Sequence, residues 1–331
     1  MPILIFSSCN GMATLPGMLE RLARIERPPG LQIVAVDNRS TDGTLRLLQQ
    51  WAPRLSMRVL ECAAPGKNRA LNHALDTLGP ALAAAELVIF TDDDVLPDDA
   101  WLTQLMAAAR AHPHASLFGG TIRPEWPHGP EDWLQALEDE FESLFALTTA
   151  RDGPCTSHAV FGPNMAIRAR ILAAGARFEP GIGPDGSGRF GMGSESEFLH
   201  RLAHAGHRVH FCADAIVGHQ IKASQMTRQA VVARGYRYGY GCAMMAAQAR
   251  SRAALLPAAA GRLAERELKA LAALLPVWSS RRLKMQFLRD VQRGYLASLL
   301  SGPALPALPG ARRPIRGTAG LAATSPAPER T

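Results

Sequence analysis

The chain has 331 residues, 47% of them hydrophobic and 20% charged, a balance that excludes a disordered polymer and suits one large globular domain with an appendage. The net charge of +7 conceals an asymmetry: residues 1–219 carry 18 Lys and Arg against 25 Asp and Glu, whereas residues 220–331 carry 18 against 4. Five scattered cysteines without a CxxC pair argue against a disulfide framework or a structural zinc; a reducing cytosol is expected, with no signal peptide and no apolar run of spanning length.

In chain order, "ILIFSS" (3–8) reads as a strand, followed by a helix in which Leu15, Met18, Leu19, Leu22 and Ile25 recur at helical spacing. "LQIVAVD" (31–37) is a second strand and "GTLRLLQQWA" its helix; "MRVLEC" (57–62) is a third, followed by a Gly-Lys turn and the helix "RALNHALDTL". "ELVIFTD" (86–92) is the fourth strand. Apolar strands separated by helices predict a parallel sheet covered on both faces. Ligands of such sheets bind beyond the carboxyl ends of the strands, the edge where Asp37, Gly66-Lys67 and Asp92–Asp94 fall.

Beyond residue 112, strands are expected at 115–122 and 159–167, with a long acidic helix, "EDWLQALEDEFESLFAL", between them. "SESEFLHRLAHAG" (194–206) reads as a helix and "RVHFCADAIV" as a returning strand. From about 224 the chain is helical and basic, and a Pro/Ala/Gly-rich tail (302–331) is expected to be disordered.

Three adjacent carboxylates repel unless something positive lies among them. On an extended segment Asp92 and Asp94 share one side and Asp93 faces the other, an arrangement that suits a hard divalent cation; the plainer alternative is a solvated loop that also caps the next helix. Asp37 is either an acceptor for a nucleobase N–H or a turn residue, and Lys67 either a cation beside a nucleotide or a solvated lysine. Glu195 begins a helix, where it is either a general base or a carboxylate complementing the helix dipole, with Glu197 the substitute base. Asn164 and His219 each have a structural alternative.

Six stretches in order, "SSCNG", "VDNRSTDGT", "GKNRALNHAL", "TDDDVLPDDAWL", "FGPNMAIRARIL" and "GSESEFLHRLAHAGHRV", resemble the motifs of the family 2 inverting glycosyltransferases, over about residues 3–219. The resemblance implies an α/β GT-A fold, Rossmann-like, with a mostly parallel central sheet between two helical layers (1–222), to which this chain adds a helical basic extension (223–301) and the tail. It implies a nucleoside-diphosphate sugar as donor, Mn²⁺ or Mg²⁺ as cofactor, and a glycan or lipid-linked glycan as acceptor, with no nucleic acid. Asp37, Lys67, Asp92, Asp93 and Asn164 are placed around the donor; Asp92, Asp94 and His219 around the metal; Glu195 as the base. One departure is clear: where the family carries Glu-Asp, this chain has Ser194-Glu195.

Two other classes compete: a sugar-phosphate nucleotidyltransferase, disfavoured by the absence of Lys or Arg in "SSCNGMATLPG", and a catalytically silent sugar-nucleotide-binding module. The helix "RRLKMQFLRDVQRGYLASLL" either lies on an anionic leaflet at the inner face of the cytoplasmic membrane or docks its Leu288, Val291, Tyr295 and Leu299 stripe on the catalytic domain.

Overall fold

A computed structural model describes residues 1–186, 190–274, 281–306 and 308. Strands β1 (Pro2–Ser8), β2 (Gln32–Asp37), β3 (Met57–Glu61) and β4 (Leu87–Asp92) pair in parallel in the order β3-β2-β1-β4. Their crossovers are α1 (Leu15–Leu22), α2 (Thr44–Leu55), and α3 (Lys67–Leu78) with the short α4 (Pro80–Ala84). Alternation along each strand divides the side chains between two cores. Leu4, Phe6, Ile33, Ala35, Leu87 and Ile89 pack on one face, Ile3, Ile5, Val34, Val36, Val88 and Phe90 on the other. Burial on both faces explains why these strands read as continuous apolar runs.

The sheet continues through β5 (Val95–Pro97), β6 (Ala115–Glu125), β7 (Gly153–Cys155), β8 (Met165–Arg168) and β9 (Arg208–Gln220) in the order β4-β8-β6-β9-β5, with β7 also paired to β9. Here β8 runs antiparallel to β4 and β6, and β9 parallel to β6. Helix α5 (Trp101–Ala111) packs its Trp101, Leu102 and Leu105 into the first core. The three-residue β5, which the sequence pattern does not announce, has a consequence for the site: its antiparallel register sets Val95 opposite His219.

Two predicted elements differ. The long acidic helix is broken into α6 (Asp132–Gln135), a 3₁₀ turn over Glu138–Glu140, and α7 (Phe141–Phe145). The break lets Leu134 and Leu137 on one side of the acidic run, and Leu144 and Phe145 on the other, reach one apolar cluster while the acids face water. Trp126 packs in that cluster against Phe141 and Phe145. The strand expected over 159–167 is confined to β8, because 157–159 and 162–164 wind into 3₁₀ turns.

Helix α8 (Ala169–Ala173) and α9 (Ser194–His204) precede the basic third, which forms α10 (Arg228–Ala249), α11 (Arg252–Ala272) and α12 (Arg282–Ser301). Helices α10 and α12 cross at backbone contact: a Cβ on Gly239 would lie 1.8 Å from the carbonyl oxygen of Val291. Leu283, Phe287 and Leu299 of α12 are buried there, with Leu288, Val291 and Tyr295 packed beside them, so the apolar side of α12 is docked on the protein. Most of the tail expected to be disordered, residues 307 and 309–331, lies outside the described residues.

Candidate active site

The carboxyl ends of β1, β2 and β4 converge on one edge, Ser8 pairing with Asp37 and Ser7 with Asp92. The loop after β2 is tied to the turn before α3 by Asn38, whose amide donates to the carbonyl oxygens of Cys62 (3.0 Å) and Ala64 (2.7 Å) and whose Oδ1 accepts from Gly66 N (2.8 Å). That clamp fixes Lys67 at the first turn of α3. Its Nζ donates to Asp92 Oδ1 at 2.5 Å and to Glu195 Oε1. Burial works against the Lys67 charge, but the two carboxylates outweigh it and raise its pKa. Burial raises Asp92 despite Lys67 beside it, and would raise Glu195 too, but there the Lys67 ammonium prevails and holds the carboxyl below its usual range.

Glu195 opens α9, and its Oε2 accepts from the Ser194 hydroxyl at 2.7 Å. It reaches the cleft because residue 162 is glycine: a Cβ there would sit 2.6 Å from Glu195 Oε1. Glu197 faces elsewhere. It is fully buried, ion-paired to Arg201 at 3.0 Å and bonded to Gln248 of α10, so it ties α9 to the extension.

Asp94 belongs to a second group. The β5–β9 pairing, with Gln220 N donating to Asp94 O at 2.8 Å, brings His219 Nε2 to 3.5 Å from Asp94 Oδ1, and Lys222 Nζ lies 3.7 Å from Oδ2. Burial would raise Asp94, but contact with His219 and the charges of His219 and Lys222 pull it down to about 2. Asp93 points the other way, accepts from the Ser8 hydroxyl, and is pushed up to about 6 by burial and by Asp94. The charge that offsets the crowded triplet is therefore partly built in: Lys67, Lys222 and His219 already stand among the aspartates.

The donor set at Asp94 also fits a divalent cation. His219 Nδ1 lies 2.6 Å from the Phe145 carbonyl oxygen, an arrangement that commits Nδ1–H and turns Nε2 toward Asp94, whose Oδ1 is buried and without a hydrogen-bond partner. Asp92 is not gathered with them, being held by Lys67. Among the described residues, the one group of three His, Cys, Asp or Glu with ligand atoms mutually within 4.8 Å is His112, Asp152 and His210, none of which lines the cleft.

The other expected residues divide. Asp37 is 4% exposed, its Oδ2 accepting from Ser40 N at 3.2 Å and its Oδ1 left without a partner, a free acceptor at the end of β2. Asn164, expected beside the sugar, is 0% exposed and does not line the cleft. Its Oδ1 accepts from Trp101 Nε1 (2.9 Å) and its amide donates to Thr121 O (3.0 Å) and Ala215 O (2.8 Å), fastening β8 to β6, β9 and α5.

Two adjoining compartments meet at Lys67, Asp92 and Asp94. The larger, about 550 Å³, is lined by Ser8, Asn38, Arg39, Gly66 and Asp93 among others. The smaller, about 290 Å³, holds Glu195, His219, Glu142 of α7, and Arg234, Arg237 and Tyr238 of α10. Sequence reasoning missed the α10 residues. The signal available was "RGYRYGYG", where Gly235 and Gly239, four apart, mark a helix face pressed against a neighbour, while Arg234 and Arg237, three apart, share another face.

Residues 4–175 match the profile of Glycosyl transferase family 2. Among solved structures the chain is similar to the mannosyltransferase PcManGT from Pyrobaculum calidifontis in complex with GDP-Man and Mn²⁺, with 19% identity and a TM-score of 0.53 over 89% of this chain and 86% of that one. It is also similar to residues 1–349 of S. aureus TarS, with 14% identity and a TM-score of 0.49 over 89% and 90%. A comparison with curated protein sequences found no match.

Proposed function

The chain belongs to glycosyl transferase family 2 and has its GT-A fold, and on that footing we propose that it transfers a sugar, with inversion, from a nucleoside-diphosphate sugar to an acceptor hydroxyl. The observation that carries this reading is the Lys67 bridge between Asp92, where the two compartments meet, and Glu195, in the smaller. The larger compartment takes the nucleotide, with Asp93 near the donor; Asp37, expected to accept from a base N–H, is 4% exposed and lies outside that lining. Asp94 and His219 would hold a divalent cation; the similar mannosyltransferase structure contains Mn²⁺ together with GDP-Man. When bound, that cation neutralises charge on the departing diphosphate.

In the reaction the acceptor oxygen bonds to the anomeric carbon as the bond from that carbon to the diphosphate breaks. Glu195 takes the hydroxyl proton. Lys67 gates this step: paired with Lys67, Glu195 is a poor base, and as the ammonium turns to the incoming diphosphate the carboxylate becomes a stronger one. The longer glutamate thus stands in for the aspartate usual at this position.

The acceptor is a glycan or lipid-linked glycan reached from the membrane surface. No helix among the described residues is long and apolar enough to cross a membrane. Leu268 and Leu271 at the end of α11 and Leu274 in the turn just after it, exposed at 69%, 61% and 55%, lie within the basic third, a surface suited to an anionic leaflet. The test of the transfer reading is Mn²⁺-dependent hydrolysis of a panel of UDP- and GDP-sugars. Glu195→Gln should abolish turnover while leaving nucleoside-diphosphate binding intact; turnover that survives the substitution removes Glu195 as the base.

A further inference from the structure

Arg234 and Arg237 lie three residues apart on α10 and both line the smaller compartment. Neither guanidinium makes a hydrogen bond or ion pair among the described residues, and both Nε atoms are buried without an acceptor. Arg237 stacks over the Phe190 ring at 5.6 Å, which orients its plane and satisfies no N–H. Burial first, then the like charge of Arg237, brings Arg234 down to about 10 although Asp94 opposes the shift.

Both side chains are half-buried, with Nε closed off from solvent and no acidic partner in hydrogen-bond or ion-pair contact among the described residues, so two like charges stand side by side where a cavity limits their hydration. Lys67, in the same cleft, is by contrast paired twice. Packing does not explain the guanidinium ends, since it is the glycines of α10 that meet α12. Unpaired forks aimed into a cavity are built for a planar or tetrahedral anion.

The position of the pair says which anion. Neither arginine lines the larger compartment, where Asn38, Arg39, Gly66 and Lys67 surround the space for a nucleotide. Both share the smaller compartment with Glu195, on the side from which an acceptor hydroxyl would come. Building on the transfer reading, we propose that Arg234 and Arg237 form an acceptor subsite that binds a phosphate or carboxylate carried by the acceptor, so that the natural acceptor is anionic. The fork holds the anion while Glu195 faces the neighbouring hydroxyl, and an uncharged glycan leaves both guanidinium groups unpaired.

The test is calorimetry on the full chain with inorganic phosphate, alone and then with the nucleoside diphosphate that binds best in the presence of Mn²⁺. Phosphate and nucleotide should bind together. Arg234→Gln/Arg237→Gln should weaken phosphate roughly tenfold or more and nucleotide less than twofold, and Arg250→Gln, at the exposed end of the same helix, should change neither. Should the double variant fail to fold, the single Arg237→Lys serves, since it keeps the charge and loses the fork. Titrations with methyl phosphate, dimethyl phosphate and glucuronate then separate a monoester, a diester and a uronate as the source of the anion. Competition between phosphate and nucleotide, or a double variant that loses nucleotide and keeps phosphate, would overturn the proposal by assigning the arginines to the donor. If no nucleotide binds at all, the transfer reading falls, and the anion subsite is still judged by the phosphate titration of the variants.

Discussion

Lys67 joins a carboxylate shared by both compartments to one that lines only the smaller: its Nζ lies 2.5 Å from Asp92 Oδ1 and contacts Glu195 Oε1. Removing the ammonium leaves Glu195 with burial and the charge of Asp92, both of which raise its pKa. Lys67→Met should therefore move the acid limb of the pH–kcat/KM profile to higher pH and reduce turnover by roughly 100-fold through lost stabilisation of the leaving group. An acid limb that stays where it was, at whatever rate, would show that Lys67 does not control Glu195.

Asp94→Asn should weaken Mn²⁺ binding on the order of 100-fold, because it removes the one carboxylate that shares a point with His219 Nε2. Manganese titration followed by electron paramagnetic resonance gives the answer directly. Full retention of affinity would move the metal site elsewhere.

For Asn164 a structural outcome is expected. Asn164→Ala strands Trp101 Nε1 and the carbonyl oxygens of Thr121 and Ala215 in the core, a loss of about 3 kcal/mol in urea unfolding. The KM for donor should stay within about twofold of the parent. A large rise in KM without loss of stability would return Asn164 to the sugar.

Gly239→Ala places a methyl group against the Val291 carbonyl, a contact relieved only if α12 moves. The expected cost is about 1–3 kcal/mol, visible as a lower Tm and faster proteolysis of the helices after residue 250. An unchanged Tm would mean that the crossing is looser than the backbone distance implies.

His210, 4% exposed and stacked on His112 at 3.8 Å, has a pKa lowered from 6.5 by burial and by the like charge of His112, with Asp152 opposing. The unfolded chain then takes up the proton more readily than the folded one. This contribution is complete above about pH 6.5 and is lost as pH falls through the lowered value. Urea midpoints followed from pH 7.5 downward should decline less steeply for His210→Gln; parallel declines would rule the stack out as a source of acid sensitivity.

The sheet was legible because its strands are apolar on both faces, so that Ile3 and Leu4, or Val88 and Ile89, show continuous hydrophobicity as well as the alternation that divides them between two cores. Residues within a turn or two of a strand end were legible for the same reason: topology alone carries Lys67 and Asp92 to one edge. What depends on long-range register was not. His219 reaches Asp94 only through the three residues of β5, too few for a periodic signal. Asn164 carries a family motif, yet only the fold reveals that its amide is spent on two distant carbonyl groups. The break in the 131–147 helix follows from a shared apolar cluster, which local helical spacing cannot express.

Helix α10 does more than trail behind the sheet: the Arg237 carbonyl accepts from Met192 N at 3.0 Å, three residues before Glu195, and Arg234 and Arg237 face the same hollow. On the proposed reading, the acceptor subsite and one backbone support of the loop that leads to Glu195 then lie in one exchangeable segment. A chimaera that grafts a foreign sequence after residue 222 would inherit both at once, which makes this junction the place to cut when re-targeting the enzyme and the place to avoid when merely shortening it.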